Sequence, residues 1–406
     1  MPVSEGIAQR RENAMPGGYT HIVIGAGAIG SATAYWLSQT PGARVLVLEQ
    51  DELVNTRNSS GDVSRIIRHA YHSTAYTALT PAMFEAWAHV EEQSGLPLYL
   101  RTGGLDLASS EPAARASLDA YRGALAAQGI PYEDLDAEEI HRRWPQWRIE
   151  DDVTGMYQEA GGLIDIRASV AAHTSLALAH GVTFLPRTRA TGVEVRPDSV
   201  TVRTPRGDFS ADRLVVAVSS WLGELMPELG LDYRLTLSQE QVSYFTSVRL
   251  SEFTPDRFPI WIFHGEQDHY GFPVYGEPAV KIARDMRGHF ISSDERVYEG
   301  DAEEAALLER FLRRHLPGAV GPVYANKTCV YDMPADRDFV VDTVPGAPHV
   351  AVFNGAGHAG KFASLMGRIL AELLTEGSTT HPIEAFSLRR PAITDPDFVP
   401  TFQLHH

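Results

Sequence analysis

Cysteine is nearly absent from this sequence, because Cys329 is the only one among 406 residues. This scarcity excludes an internal disulfide and any cysteine-rich metal site, and it is typical of a cytoplasmic protein in a reducing compartment. Lysine is almost as rare, since Lys281, Lys327 and Lys361 are the only three. A lysine is therefore an unusual choice in a chain that otherwise uses arginine for positive charge.

Positive charge and long apolar runs are also scarce. The formal net charge of -17 at pH 7 argues against nucleic acid, because phosphate binding needs clustered lysine and arginine. No run approaches the roughly 20 apolar residues of a membrane-spanning helix, and residues 1–18 lack the apolar segment of a secretory signal. We expect small-molecule partners, no nucleic acid and no membrane, with residues 1–18 as a flexible N-terminal tail and 392–406 as a C-terminal tail.

The N-terminal part contains a strand, a glycine-rich turn and a helix in succession. An apolar strand over residues 20–24 leads into a G-x-G-x-x-G turn, and a second strand over residues 44–48 ends beside Glu49. The glycines permit a tight turn and a close approach to a pyrophosphate, the helix N-terminus faces the phosphate charge, and the acid accepts a ribose hydroxyl. This spacing predicts a dinucleotide site that includes Gly25, Gly27, Ala28, Ile29, Gly30, Glu49 and Gln50.

Two remote segments favour FAD over NAD. The apolar strand over residues 350–353 runs into the glycine-rich stretch 354–360, and a helix follows from Lys361. Glycines and the positive end of a helix bring backbone amides near a ligand that gains negative charge, as a flavin does on reduction. The second segment, residues 64–71, is cationic and follows soon after the βαβ unit.

The pattern along the rest of the chain predicts two domains built from separated segments. Thr80 and Pro81 are typical of a helix start. Residues 101–160 lose the regular alternation of strand and helix, whereas the buried strand at 214–218 returns to the nucleotide domain. Residues 235–323 then alternate as strands typical of a second domain.

These features together resemble the monomeric sarcosine oxidase and N-methyltryptophan oxidase family of covalent flavoproteins. The likeness runs from Tyr19 to about Pro391. It includes the glycine turn and the segments 65–71, 270–273, 281–282, 329–331, 338–342 and 357–362. The resemblance implies a monomer with a mixed α/β, two-domain FAD fold of the glucose-oxidase and p-hydroxybenzoate-hydroxylase type. Its Rossmann-type FAD domain would comprise residues 19–100, 161–234 and 325–391, and its antiparallel-sheet catalytic domain residues 101–160 and 235–324.

The resemblance also assigns roles to residues of the flavin site. It implies that the flavin is joined to Cys329 by a thioether and that Lys281 activates O₂, since a buried ammonium stabilises superoxide. Arg65 would lie near the flavin as a catalytic residue. Further cofactor contacts would come from Ser59, Ser60, Ser64, Ala190, Trp221, Gly357, His358, Gly360 and Lys361.

The substrate end is implied in the same way. Arg68 and Lys361 fall where the family holds a substrate carboxylate, which suits a planar guanidinium and a second cation. Tyr270 and Tyr331 would line the substrate pocket, although a tyrosine is more often a core residue with a tethered hydroxyl.

Three positions depart from the family. Asp285 replaces a histidine four residues after Lys281, and strand alternation predicts that both side chains point to one face. As a catalytic residue it could pair with Lys281 or hold a substrate ammonium or a second basic group, and as a structural one it could bind an arginine such as Arg284 or Arg287. Trp261 stands where a small flexible pocket residue is expected, and Gly360 replaces a phenylalanine. Asp285 places simple sarcosine in doubt as the substrate, and Trp261 implies a different pocket shape.

The resulting prediction is an FAD-dependent oxidase of a secondary (N-methyl or cyclic) or primary amino acid. The C–N bond would be oxidised to an imine and O₂ reduced to H₂O₂. Two alternatives remain: a flavin dehydrogenase or biosynthetic desaturase acting on a cyclic imine, and a flavin-binding protein without catalysis.

Overall fold

The computed structural model describes residues 18–402, so the predicted N-terminal tail lies outside the described residues except for Gly18. None of the helices in that range is long and apolar enough to cross a membrane. The strands are β1 Tyr19–Ile24, β2 Val45–Leu48, β3 Ser64–Ile67, β4 Tyr99–Arg101, β5 Gly104–Ala108, β6 Glu133–Leu135, β7 Thr154–Gln158, β8 Gly162–Asp165, β9 Thr183–Leu185, β10 Gly192–Val195, β11 Val200–Arg203, β12 Phe209–Val216, β13 Leu235–Phe245, β14 Ile260–His264, β15 His269–Phe272, β16 Val280–Arg284, β17 His289–Phe290, β18 Val323–Pro334, β19 Val340–Val344 and β20 Ala347–Asn354. The helices are α1 Ala28–Ser38, α2 Thr74–Ser94, α3 Pro112–Ala127, α4 Ala137–Arg143, α5 Ile166–Ala179, α6 Leu222–Leu225, α7 Ala302–His315, α8 Ala363–Thr375 and α9 Pro391–Thr394.

An eight-stranded sheet carries the glycine-rich turn. Strands β20, β12, β1, β2 and β9 are parallel neighbours in that order, while β10 and β11 form an antiparallel meander with the first half of β12. The strands are apolar on both faces, as a covered parallel sheet requires. Helices α1, α2, α5 and α8 bury one face and the segment from α6 to Leu231 covers the other. This is the Rossmann-type arrangement predicted from the sequence.

A nine-stranded, mostly antiparallel sheet forms the second part of the molecule. Its strands follow the order β17, β13, β16, β15, β14, β5, β7 and β6, with β18 paired to β13. One face packs on an aromatic core against α4 and α7, and the other face turns toward the first sheet. Strands β3, β8 and β4 form a small third sheet. The mixed α/β architecture is therefore the predicted one.

The predicted domain boundaries stay a prediction, but strands β4 and β18 each cross one of them. Strand β18 begins before the expected boundary at 324/325 and pairs along its length with β13 of the nine-stranded sheet. Cys329 on this strand therefore belongs to the second sheet while its side chain lines the space between the two sheets.

The expected helix start at Thr80 is wrong. Helix α2 begins at Thr74, because Ser73 caps it by accepting a hydrogen bond from the Ala75 amide at 3.3 Å. Pro81 lies inside the helix and cannot donate to the Thr77 carbonyl. The Thr80 hydroxyl donates to that carbonyl at 2.7 Å instead. The Thr80 hydroxyl therefore replaces a backbone hydrogen bond inside the helix and does not cap a helix end.

The expected C-terminal tail packs against the body of the protein as far as residue 402, and residues 403–406 lie outside the described residues. Residues 391–394 form α9, and the Thr401 amide donates to the Ala335 carbonyl at 2.9 Å. Phe402 packs against the cluster formed by Tyr331 and Met333.

Candidate active site

A cavity of about 560 Å³ lies between the two larger sheets. Its wall includes the turn between β1 and α1, strands β3, β15, β16 and β18, and the loop after β20. This volume is in the range of small-molecule and cofactor sites. The cavity therefore joins the glycine turn to the lysines and arginines that the sequence placed far from it.

The glycine turn is shaped by contacts that leave no room for side chains. Gly25 has φ +98°, and a Cβ on Gly30 would lie 1.8 Å from the Gly25 carbonyl oxygen. The Ala26 amide donates to Glu49 Oε2 at 2.8 Å, and the Ala28 amide donates to Ser60 Oγ at 3.0 Å. Burial raises the pKa of Glu49, which is only 6% exposed.

The loop after β20 forms a second close approach. Gly357 has φ +81° and a Cβ there would lie 2.2 Å from Tyr331 Cγ, while a Cβ on Gly360 would lie 3.1 Å from Arg65 Cγ. Gly357, Gly360 and Arg65, which were predicted to contact the flavin, therefore lie on the same wall of the cavity. Amide donors at a helix N-terminus, a buried acid and glycine cradles at both ends are the donor set that FAD requires, so the residues present fit this cofactor.

Cys329 faces the cavity from β18. Burial raises the pKa of its thiol to about 11, while Arg65 acts in the opposite direction. Its register partner on β13 is Glu240, which accepts hydrogen bonds from the amides of Arg287 and Gly288 at 3.1 and 2.9 Å. The single thiol is therefore placed where the cavity passes between the two sheets.

Lys281 is buried and pairs with Asp62, not with Asp285. Its Nζ forms an ion pair with Asp62 and donates to the Ser64 carbonyl at 2.9 Å. Burial lowers the pKa of Lys281 to about 8, with Asp62 partly offsetting that effect. Asp62 also accepts from the Tyr244 hydroxyl at 2.7 Å and lies 3.3 Å from Lys327 Nζ. Sequence reasoning missed Asp62, although it is an acid two residues before the cationic segment 64–71.

Asp285 binds an arginine that the sequence did not suggest. Arg337 Nη1 and Nη2 donate to its two carboxylate oxygens at 2.9 and 2.8 Å. Of the two arginines considered in the sequence, Arg284 pairs with Glu304 instead. Asp285 does line the cavity with Lys281, as strand alternation predicted. Its charge, however, is already matched.

Arg68 is also matched by a buried acid. It is 6% exposed, forms an ion pair with Asp106 and donates to the Tyr121 hydroxyl at 3.3 Å. The Asp106 carboxylate, 2% exposed, stands between Leu105 and Leu107 in β5. An acid in an otherwise apolar strand is the signal that could have identified it, because buried charges are paired.

Lys361 differs from these cations. Its Nζ donates to the Tyr71 hydroxyl at 2.7 Å and to the His358 carbonyl at 3.3 Å. No ion pair joins it to a carboxylate within residues 18–402. Burial, and then the nearby charge of Arg68, lower the pKa of Lys361 to about 7. An anion entering the cavity would supply the missing counter-charge.

Trp261 was wrongly placed in the substrate pocket. It is 2% exposed, stacks on Phe311 with ring centroids 5.7 Å apart and meets Trp147 edge-on at 5.1 Å. Alternation along β14 turns Trp261 and Phe263 to the aromatic core, whereas Ile262 and His264 face the cavity. Two large aromatics two residues apart could have revealed the buried face.

The other predicted site residues do reach the cavity, except Gly30, which packs behind the turn. Tyr270 and Tyr331 both line it, and burial raises the pKa of each phenol. The remaining cavity-lining predictions are Gly25, Gly27, Ala28, Ile29, Gln50, Ser59, Ser60, Ser64, Arg65, Ala190, Trp221, Gly357, His358 and Gly360.

Comparison with known proteins agrees with this geometry. The family model described as FAD dependent oxidoreductase matches residues 21–373. A monomeric sarcosine oxidase of Streptomyces avermitilis is 32% identical over 384 residues, which is 92% of this chain and 97% of that protein. An N-methyl-L-tryptophan oxidase of Escherichia coli is 30% identical, covering 92% of this chain and 99% of the relative.

Solved structures give the same picture. NikD, described as an unusual amino acid oxidase essential for nikkomycin biosynthesis, superposes with a TM-score of 0.81 at 26% identity, covering 96% of this chain and 99% of its own. L-proline dehydrogenase from P. horikoshii has a TM-score of 0.80 at 17% identity, covering 92% and 97% of the two chains, which shows a shared fold.

Proposed function

This chain belongs to the FAD-dependent oxidoreductase family, and on that premise we propose that it oxidises the C–N bond of an amino acid and reduces O₂ to H₂O₂. The substrate would be a secondary amino acid, N-methyl or cyclic, or a primary one. Bound FAD supplies the redox chemistry, taking two electrons from the amine and giving them to O₂. The observation that carries the proposal is one cavity in which the FAD turn, Lys281 and Lys361 meet.

Lys361 and Arg68 would hold the substrate carboxylate. Lys361 contributes a buried cation without a carboxylate partner in the described chain, and Arg68 adds a guanidinium at the same end of the cavity. A carboxylate bound there raises the pKa of Lys361 from about 7, so the lysine takes up a proton when substrate binds above that pH. The amine is thereby oriented while Tyr270 and Tyr331 exclude water.

Lys281 would serve the oxygen reaction. Its ammonium is buried where the dielectric is low, so it stabilises the negative charge that develops when O₂ receives an electron. The Asp62 carboxylate holds the ammonium in place through the ion pair.

We also propose that the flavin is attached to Cys329 through a thioether. The support is position, because Cys329 is the chain's single cysteine and lines the cavity close enough to Arg65 for that charge to act on its thiol. Acid-precipitated protein run on a denaturing gel should give a yellow fluorescent band that disappears in Cys329→Ala. A band of the same strength in the variant would disprove the linkage.

The test of the function is a peroxide assay over paired compounds. Each N-methyl, cyclic or primary amino acid is matched with the amine that lacks its carboxylate. Turnover should require the carboxylate. The rate of flavin reduction at saturating substrate should rise with pH, because the amine must lose its proton before oxidation. Peroxide from none of the amino acids, or equal rates with the decarboxylated partners, would contradict the proposal.

A dehydrogenase is the second candidate, favoured by one observation. The charge of Lys281 is matched by Asp62, which weakens the field available to an oxygen anion. Turnover with a dye under nitrogen but none with O₂ would support this alternative and remove the oxygen role of Lys281.

A further inference from the structure

A row of alternating charges begins at Arg68. It runs Arg68, Asp106, His264 and Asp268, of which Asp106 lies behind the cavity wall while the other three line the cavity. The first three side chains are 7%, 2% and 2% exposed, whereas that of Asp268 is 41% exposed. The row therefore follows the cavity wall from buried Arg68 to the exposed carboxylate of Asp268.

His264 is placed between two carboxylates. Its Nδ1 lies 3.1 Å from Asp268 Oδ2, within hydrogen-bond distance. Its Nε2 lies 3.8 Å from Asp106 Oδ1, too far for a hydrogen bond, and has no other hydrogen-bond partner in the described part of the chain. The Asp106 oxygen that binds Arg68 is the same atom that lies 3.8 Å from His264 Nε2, so a shift of this carboxylate toward His264 takes it away from Arg68.

This row answers a difficulty in the carboxylate site. Arg68 is already neutralised by Asp106, so an incoming carboxylate would meet a second negative charge beside the guanidinium. Buried like charges repel strongly, and a buried carboxylate stripped of its partner is costly. Binding at Arg68 therefore needs another cation to take over Asp106.

We propose that His264, held by Asp268, is a positioning residue that takes over the Asp106 carboxylate when the substrate carboxylate binds Arg68. The proposal rests on the proposed function to the extent that the ligand of Arg68 is an amino-acid carboxylate. No covalent step is involved, since only hydrogen-bond partners are exchanged. The device sets the affinity for carboxylates and leaves the chemical step unchanged.

The groups that face His264 determine its charge. Asp106 faces it from β5, Asp268 from the turn between β14 and β15, and the Tyr121 ring of α3 packs edge-on at 5.2 Å. Burial alone would lower the pKa of His264, but the two carboxylates outweigh it and raise the pKa to about 9. The imidazolium is therefore present below pH 9 and is lost as the pH rises through that value. Carboxylate affinity should fall over the same range.

The experiment measures acetate binding to the FAD-loaded protein by calorimetry from pH 6 to 10. His264→Gln should weaken acetate binding about tenfold near pH 8, the scale of one charged hydrogen bond, and should abolish the fall near pH 9. The fall that begins near pH 7 belongs to Lys361 and should remain. With an oxidised amino acid, KM should rise about as much while kcat stays within about twofold.

Two further variants separate positioning from folding. The double variant His264→Gln with Asp106→Asn should recover acetate affinity, because Arg68 then has no competing carboxylate. His173→Gln, which changes a buried histidine away from the cavity, should leave acetate binding unchanged. Thermal unfolding of each variant checks that it folds.

Several results would overturn the proposal. The first is a folded His264→Gln variant whose acetate affinity is unchanged and still falls near pH 9. The second is a double variant that does not recover acetate affinity. The third is an Arg68→Met variant that binds acetate as tightly as the parent protein does. Calorimetry needs no turnover. If no amino acid is oxidised but the acetate results hold, the proposed function fails and the carboxylate device stands.

Discussion

The two ends of the cavity achieve their fit by different means. The end at the glycine turn offers backbone amides and glycines that have no side chain, with Glu49 as a buried acid that accepts a hydrogen bond from the Ala26 amide. The substrate end uses charge, and Arg68 and Arg337 each carry an aspartate partner there while Lys361 has no carboxylate partner among residues 18–402. Shape therefore decides binding at one end, and the distribution of counter-charges decides it at the other.

The largest effect, loss of the bound flavin, is expected when a side chain is added in the glycine turn. Gly30→Ala puts a Cβ 1.8 Å from the Gly25 carbonyl, so strand and helix must separate. The variant should be purified without flavin, measured as loss of visible absorbance. Gly123→Ala is the matched control, because a Cβ there meets nothing within 4 Å. Full flavin content in Gly30→Ala would show that close packing is not required.

The second-largest effect, on the rate of the reaction with O₂, is expected when the charge of Lys281 is removed. Lys281→Met is expected to slow reoxidation by O₂ by about 10²–10³-fold, as for loss of a buried electrostatic donor. In the parent protein this step should slow as pH rises through about 8, where Lys281 loses its proton. Stopped-flow absorbance measures both effects.

Lys327→Met is the control for that result. Lys327 shares the Asp62 carboxylate with Lys281 but is 31% exposed, so its loss should cost less than about tenfold. Equal losses in the two variants would mean that neither lysine has a specific role toward O₂.

At the substrate end, Lys361→Met should raise KM by about 10–100-fold, the scale of one charged hydrogen bond. Steady-state kinetics should show a much smaller change for the decarboxylated amine. A comparable loss with both compounds would show that Lys361 does not recognise the carboxylate.

The smallest effect concerns stability. Asp285→Asn leaves Arg337 without its bidentate partner and should cost about 1–3 kcal/mol, since the pair is only partly buried. The double variant with Arg337→Met should recover part of that loss, measured by denaturant unfolding. Additive losses would show that the two side chains do not stabilise each other.

The same contrast explains what the sequence could predict. Gly25, Gly27 and Glu49 are fixed by short spacings within one βαβ unit, and the cavity position of Lys281 was accessible from alternation along a strand. The partners of the buried charges could not be predicted in this way, because Lys281 and Asp62 are 219 residues apart in the sequence and Arg68 and Asp106 are 38 apart.

The predicted orientation of a strand residue was wrong where it was taken from the family resemblance and not from the alternation of side chains along the strand. Trp261 was assigned by likeness to a pocket residue, although the neighbouring aromatic Phe263 indicates the core face of β14. Asp285 was placed correctly at the cavity, yet its partner Arg337 lies in a turn with φ +60° that no periodicity describes. Pairing across turns and sheets depends on register, which the sequence does not display.

The most direct test separates the two halves of the reaction by stopped-flow absorbance of the bound flavin. Mixing with an amino acid under nitrogen measures reduction, and mixing the reduced protein with O₂ measures reoxidation. Lys361→Met should weaken substrate binding in the first half and leave the second unchanged, whereas Lys281→Met should do the reverse. Flavin that no amino acid reduces, or variants that both impair the same half, would contradict a cavity with an amine end and an oxygen-reactive cofactor.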